Sequence, residues 1–225
     1  MTTKERYDGV IAWFSEHMPV AESELHYTDP YQLLVAVILS AQCTDKRVNM
    51  TTPALFERFP TPFEMAKATA EEIYPYIRSI SYPNNKARNL AGMARMLCSE
   101  FGGEVPSDLQ QMQRLPGVGR KTANLMLGDV FHVPGVVVAD THCIRITGLL
   151  GLTDGTKDPG KVEKQLRACL PPEESNDFCH RLVLHGRAVC IARRPQCQSC
   201  VLRPWCDHFA KSGQTARGTE GREPA

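Results

Sequence analysis

The chain has 225 residues, 42% of them hydrophobic and 23% charged, with a formal net charge of +1. That describes an ordinary globular protein with room for one large domain or two small ones, and no apolar run approaches the ~18 residues of a membrane span. The start, MTTKERYDGV, is polar and lacks the apolar segment of a secretory signal, so a cytoplasmic location is expected.

Taken in order, residues 5–17 carry Tyr7, Val10, Ile11 and Phe14 at helical spacing and predict a first helix ending before Pro19. Residues 31–41 are almost wholly apolar and read as a helix buried on most sides. The run breaks at Ser40-Ala41-Gln42-Cys43-Thr44-Asp45, where a new helix begins with Asp45 in its first turn. Short helices follow over 48–59, 62–66, 70–80 and 86–101. Between the last two, Pro83 keeps Tyr82 extended and Asn84-Asn85 suit a turn.

Next comes a leucine-bearing segment, 108–114, and then Leu115-Pro116-Gly117-Val118-Gly119-Arg120-Lys121. Glycines at 117 and 119 allow positive φ and close approach of another backbone. Amides at the start of the following helix, with its dipole, make a site for an anion such as a phosphate. A glycine-capped helix junction is the plainer alternative. Lys121 falls in the first helical turn, where the dipole and loss of water both lower an amine pKa from about 10.4 and turn it toward nucleophilic attack on a sugar C1′. Alone, it reads rather as a solvated surface lysine.

An apolar run, Val136 to Ala139, leads to Asp140 and the start of a further helix at Thr141-His142-Cys143. Asp140 is a good N-cap. The same carboxylate, placed near a reacting sugar, accepts a proton or stabilises developing positive charge. Residues 161–170 and 176–189 read as two more helices parted by Pro171-Pro172, and residues 211–225 as a disordered tail.

Nine cysteines are unevenly spread, and four form the run Cys190-x6-Cys197-x2-Cys200-x5-Cys206. Four thiolates so close together bind either Zn2+ or a [4Fe-4S] cluster, and the spacing does not decide between them.

Residues 115–121 followed by Val138-Ala139-Asp140-Thr141-His142 resemble the helix-hairpin-helix and the aspartate-ending loop of the endonuclease III family of DNA glycosylases. The cysteine spacing is similar to the family's C-terminal cluster loop. The resemblance implies an all-α, two-lobed fold with the DNA groove between the lobes. One lobe would be a six-helix domain over 21–134. The other would be a discontinuous iron-sulfur domain, 1–20 plus 135–210.

By the same resemblance, Lys121 and Asp140 are catalytic, and Cys190, Cys197, Cys200 and Cys206 hold a [4Fe-4S] cluster. Gln42 and Tyr82 fill the stack left by an extruded nucleotide; family members commonly carry a leucine where this chain has Tyr82. Lys86, Gly117, Gly119, Arg120, His142, Arg193 and Arg194 contact DNA. The implied activity is removal of oxidised or ring-saturated pyrimidines from double-stranded DNA, with strand cleavage at abasic sites, by a monomer. With a net charge of +1, such a protein must gather its basic residues on one face.

Overall fold

The computed structural model describes residues 1–217. Among them are twelve α-helices: α1 (Thr3–His17), α2 (Pro30–Ser40), α3 (Asp45–Arg58), α4 (Pro62–Lys67), α5 (Ala70–Ile77), α6 (Pro83–Glu100), α7 (Leu109–Arg114), α8 (Arg120–Asp129), α9 (Thr141–Leu150), α10 (Pro159–Arg167), α11 (Ser175–Ala188) and α12 (Asp207–Arg217). No strand occurs among the described residues, as the all-α expectation requires; the Val136–Val138 run is buried but irregular. No described helix is long and apolar enough to cross a membrane.

The chain forms two compact units, one running from Ser23 to Val133 and one joining Met1–Glu22 to the chain from Pro134 onward. The contiguous unit is built on α2. Asp29 caps that helix through Gln32 N at 2.9 Å, Pro30 opens it, and Leu33 through Leu39 are all buried. The unit holds α2 to α8, seven helices rather than six, because the 108–114 segment forms a helix of its own, α7, capped by Asp108 through Gln111 N at 2.9 Å.

The discontinuous unit packs α1 against α11, and α11 against α9. Phe14 of α1 meets Phe178 edge-on, with ring centroids 5.8 Å apart, and the Tyr7 hydroxyl donates to Leu152 O at 2.8 Å. Arg181, 3% exposed, donates to Met18 O and pairs with Glu174, fastening the end of α1 to α11.

Three local expectations are corrected. Tyr82 is left-handed (φ 56°, ψ 49°) rather than extended, because the chain must turn sharply to enter α6 at Pro83. Asn84 and Asn85 lie in the first turn of α6 rather than in a loop, since proline at the first helical position has no amide to satisfy there. Residues 211–217, read as tail, continue α12, where Lys211 pairs with Asp207 one turn back at 2.6 Å. The rest of that tail lies outside the described residues.

Candidate active site and cysteine pocket

In the contiguous unit the hairpin between α7 and α8 buries Leu115 and Val118 and leaves Gly117, Gly119, Arg120 and Lys121 exposed. Gly117 has φ +84°, and a Cβ there would meet Asn89 at 3.0 Å, so glycine is required by the turn itself. Gly119 is different. Its φ is −89° and a Cβ there would meet nothing within 4 Å, so neither the backbone conformation nor the packing demands glycine. No side chain caps α8, and the amides of its first turn lack partners within the helix. Lys121 is its second residue and stands in solvent, so only a bound substrate can strip its water.

Two further exposed residues share an unusual backbone. Gln42 (φ 54°) and Tyr82 (φ 56°, 63% exposed) are two of the three non-glycine residues with positive φ among those described. Such strain in bulky residues persists only where neighbours hold it. Here Ser81 Oγ donates to Gln42 O at 2.8 Å, joining the two loops.

Lys86 is the exception among the residues expected at DNA. It is 5% exposed, and its ammonium donates to Leu39 O at 2.8 Å and Ala41 O at 2.7 Å, capping the end of α2. Burial holds its pKa below the ordinary lysine value. Its stem crosses from α6 into the core because it follows Pro83 by three positions on the buried face. Lys86 is thus a tether under the Gln42 and Tyr82 loops, not a surface cation.

In the discontinuous unit Asp140 is half-buried and caps α9, its Oδ1 accepting from Cys143 N at 2.7 Å. The bond fixes the carboxylate and leaves Oδ2 for another partner. His142, Arg145, Arg187 and Ile191 line one surface pocket, and exposed Arg193 and Arg194 follow directly.

Cys190, Cys197, Cys200 and Cys206 line a second pocket, otherwise walled by side chains such as Ile146, Leu149, Leu150 and His185. Arg145 Nη1 lies 3.4 Å from Cys190 Sγ, and His185 Nε2 3.6 Å from Cys200 Sγ. Burial, with the neighbouring thiols adding, raises the Cys200 and Cys206 pKa values. Burial and Arg145 push His185 down to about 4, so it is neutral at pH 7. Among the described residues no three potential ligands are gathered closely enough to hold a single metal ion. The donor set nonetheless fits a cluster, whose thiolates bind separate irons and stand further apart than the ligands of one ion.

Sequence reasoning missed Ser81, His185 and Arg187. Ser81 and His185 gain their places through contacts across many residues and Arg187 by lining the His142 pocket, and none lies in a spacing pattern that singles it out.

Residues 35–172 match the family described as HhH-GPD superfamily base excision DNA repair protein. Endonuclease III of Synechocystis is 43% identical over 203 residues, covering 90% of this chain and 92% of its own. The chain belongs to the endonuclease III family of base excision repair DNA glycosylases. Endonuclease III of Escherichia coli K12 is 39% identical over 202 residues, with 90% and 95% covered. Among solved structures, a trapped endonuclease III–DNA covalent intermediate superposes with a TM-score of 0.88 at 40% identity, covering 95% of this chain and 100% of its own. A non-covalent endonuclease III–DNA complex superposes equally well. A thermostable thymine-DNA glycosylase, at 22% identity and a TM-score of 0.80, shares the fold.

Proposed function

We propose that this enzyme removes oxidised or ring-saturated pyrimidines from duplex DNA and cleaves the strand at the resulting abasic site, acting as a monomer in the cytoplasm. The observation that carries the reading is Lys121, exposed on the first turn of an uncapped helix directly after the Gly117 and Gly119 hairpin. A relative with 40% identity captured as a covalent DNA intermediate supports a nucleophile of this kind.

In this reading the α8 amides and Arg120 hold a phosphate of the bent duplex, contacts that fix register without reading sequence. Gln42 and Tyr82 enter the stack and the damaged nucleotide is extruded. His142, Arg193 and Arg194 add backbone contacts. The closing substrate desolvates Lys121, whose neutral Nζ attacks C1′ as the glycosidic bond breaks and the base leaves with the electron pair, taking up a proton. Asp140 Oδ2 stabilises positive charge developing at the sugar. Opening of the ring at O4′ gives a Schiff base on Lys121. Loss of a C2′ proton then expels the 3′ phosphate, and water releases the lysine.

The four cysteines would hold a [4Fe-4S] cluster, which when bound supplies a structural staple rather than a reacting group. Its loop carries Arg193 and Arg194 on the surface.

Borohydride trapping on a thymine-glycol duplex tests the reading. A covalent adduct is expected with the native protein and not with Lys121→Ala. An adduct with both moves the nucleophile elsewhere. If neither traps while both bind DNA, the lyase step is wrong.

A further inference from the structure

The four cysteines are not held alike. Cys190 follows the end of α11, and Cys197 opens and Cys200 closes a single 3-10 turn. Cys206 lies between a second such turn, Arg203–Trp205, and α12, and it is gripped from the far end of the chain. Arg6 of α1 donates through Nη1 to Trp205 O at 2.6 Å and to Leu150 O at 3.2 Å, and through Nη2 to Asp207 Oδ1 at 3.1 Å. One planar guanidinium therefore holds both neighbours of Cys206 and ties them to the end of α9. The adjacent Leu149 O accepts from Cys206 Sγ at 3.6 Å.

The Arg6 side chain is 14% exposed, so these bonds are largely shielded from water. One helical turn along α1, Gly9 has no side chain and the Trp205 indole occupies the space a Cβ would fill. The close approach of α1 to the loop is thus built into two of its residues.

We propose that Arg6 is the positioning residue for Cys206, presenting its thiolate to the cluster and setting how long the cluster is retained. The proposal rests on the reading that the four cysteines hold iron and sulfide. Arg181 separates positioning from simple docking of α1. It is also buried and also fastens α1, through Met18 O at 3.0 Å and Ser15 Oγ at 3.3 Å, yet its bonds to these and to Glu174 and Asp177 lie outside the cysteine loop. A group that orients a metal ligand from behind typically changes metal retention by about 10–100-fold.

The test uses the full chain purified with its native cofactor. Iron and acid-labile sulfide are quantified, iron release to a ferrous chelator is timed, and thermal unfolding is followed in parallel. Arg6→Met is expected to release iron about tenfold faster than the native protein and, with ferricyanide supplied to take up one electron as Fe2+ leaves [4Fe-4S]2+, to show the paramagnetic resonance signal of [3Fe-4S]+, the Cys206 corner going first. Arg6→Lys, which restores a donor but not the fork, is expected to fall between. Arg181→Met is expected to lower Tm without the three-iron signal.

Native release kinetics in Arg6→Met, or the same signal in Arg181→Met, would overturn the proposal. Should Arg6→Met not fold, Asp207→Asn decides: faster iron release at unchanged Tm supports the role and the native rate refutes it. A native protein without iron or sulfide would instead sink the cluster reading, an outcome distinct from failure of the Arg6 assignment.

Discussion

The hydroxyl of Ser81 donates to the backbone carbonyl of Gln42 at 2.8 Å, across 39 positions of sequence. It joins two loops whose tips, Gln42 and Tyr82, are both left-handed and both exposed. The bond is exposed, and an exposed hydrogen bond of this type contributes only about 0.5 kcal/mol. Ser81→Ala is therefore expected to leave Tm nearly unchanged while lowering kcat/KM on a lesion duplex about fivefold, because the two tips no longer enter the stack as a unit. Steady-state kinetics beside thermal melts would show this; a large fall in Tm with native kcat/KM would contradict it.

Lys86 lies beneath the same loops. Lys86→Met leaves Leu39 O and Ala41 O without their donor and is expected to cost about 1–3 kcal/mol. The pH dependence has a definite sign. Burial lowers the folded pKa, so below that value the buried ammonium is penalised, and the folded state gains stability as pH rises from the lowered value to the unfolded value of about 10.4. Urea titrations at pH 8 and pH 10 should show the gap between native protein and Lys86→Met widening at the higher pH.

Asp140 has two separable jobs. Asparagine caps a helix as well as aspartate does, whereas alanine does not. Asp140→Asn is expected to keep the α9 cap and the native Tm but lose glycosylase activity, and Asp140→Ala to lose activity and about 1 kcal/mol of stability. Retained activity in Asp140→Asn would restrict the residue to capping.

The two hairpin glycines are expected to fail differently. Gly117→Ala forces a left-handed alanine against Asn89 and should cost about 1–2 kcal/mol. Gly119→Ala meets nothing in the fold and should melt like the native protein, yet bind duplex DNA more weakly, since its methyl fills the space before the α8 amides. Fluorescence anisotropy on an abasic-site duplex, with melts of both variants, distinguishes the two effects.

What could be read from the sequence was local. The hairpin from Leu115 to Lys121 is contiguous, Asp140 follows its apolar run directly, and the four cysteines lie within 190–206, so their spacing alone marks them. Helical periodicity likewise placed α1 and α2 to within a residue or two, and Asp140 marked the start of α9. Lys86 misled because its charge predicts a surface and only the two carbonyls ending α2 make its burial tolerable. Tyr82 misled because the rule for a residue before proline excludes the right-handed helix without choosing between extended and left-handed backbone. Arg6 carried no signal at all, since its partners lie 144 to 201 positions away.

That separation also orders the protein's birth. The unit from Ser23 to Val133 is one unbroken stretch and has every residue of its core as soon as it leaves the ribosome. The other unit does not: α1 is made before the contiguous unit, but its partners Leu152, Phe178 and Trp205 follow only after that unit is complete. The first helix must therefore wait, its apolar face unfilled, while the middle of the chain folds. A cofactor held by all four cysteines can be completed only after the contiguous unit has been made, and a chain cut short before Asp207 would leave Arg6 without its ion-pair partner.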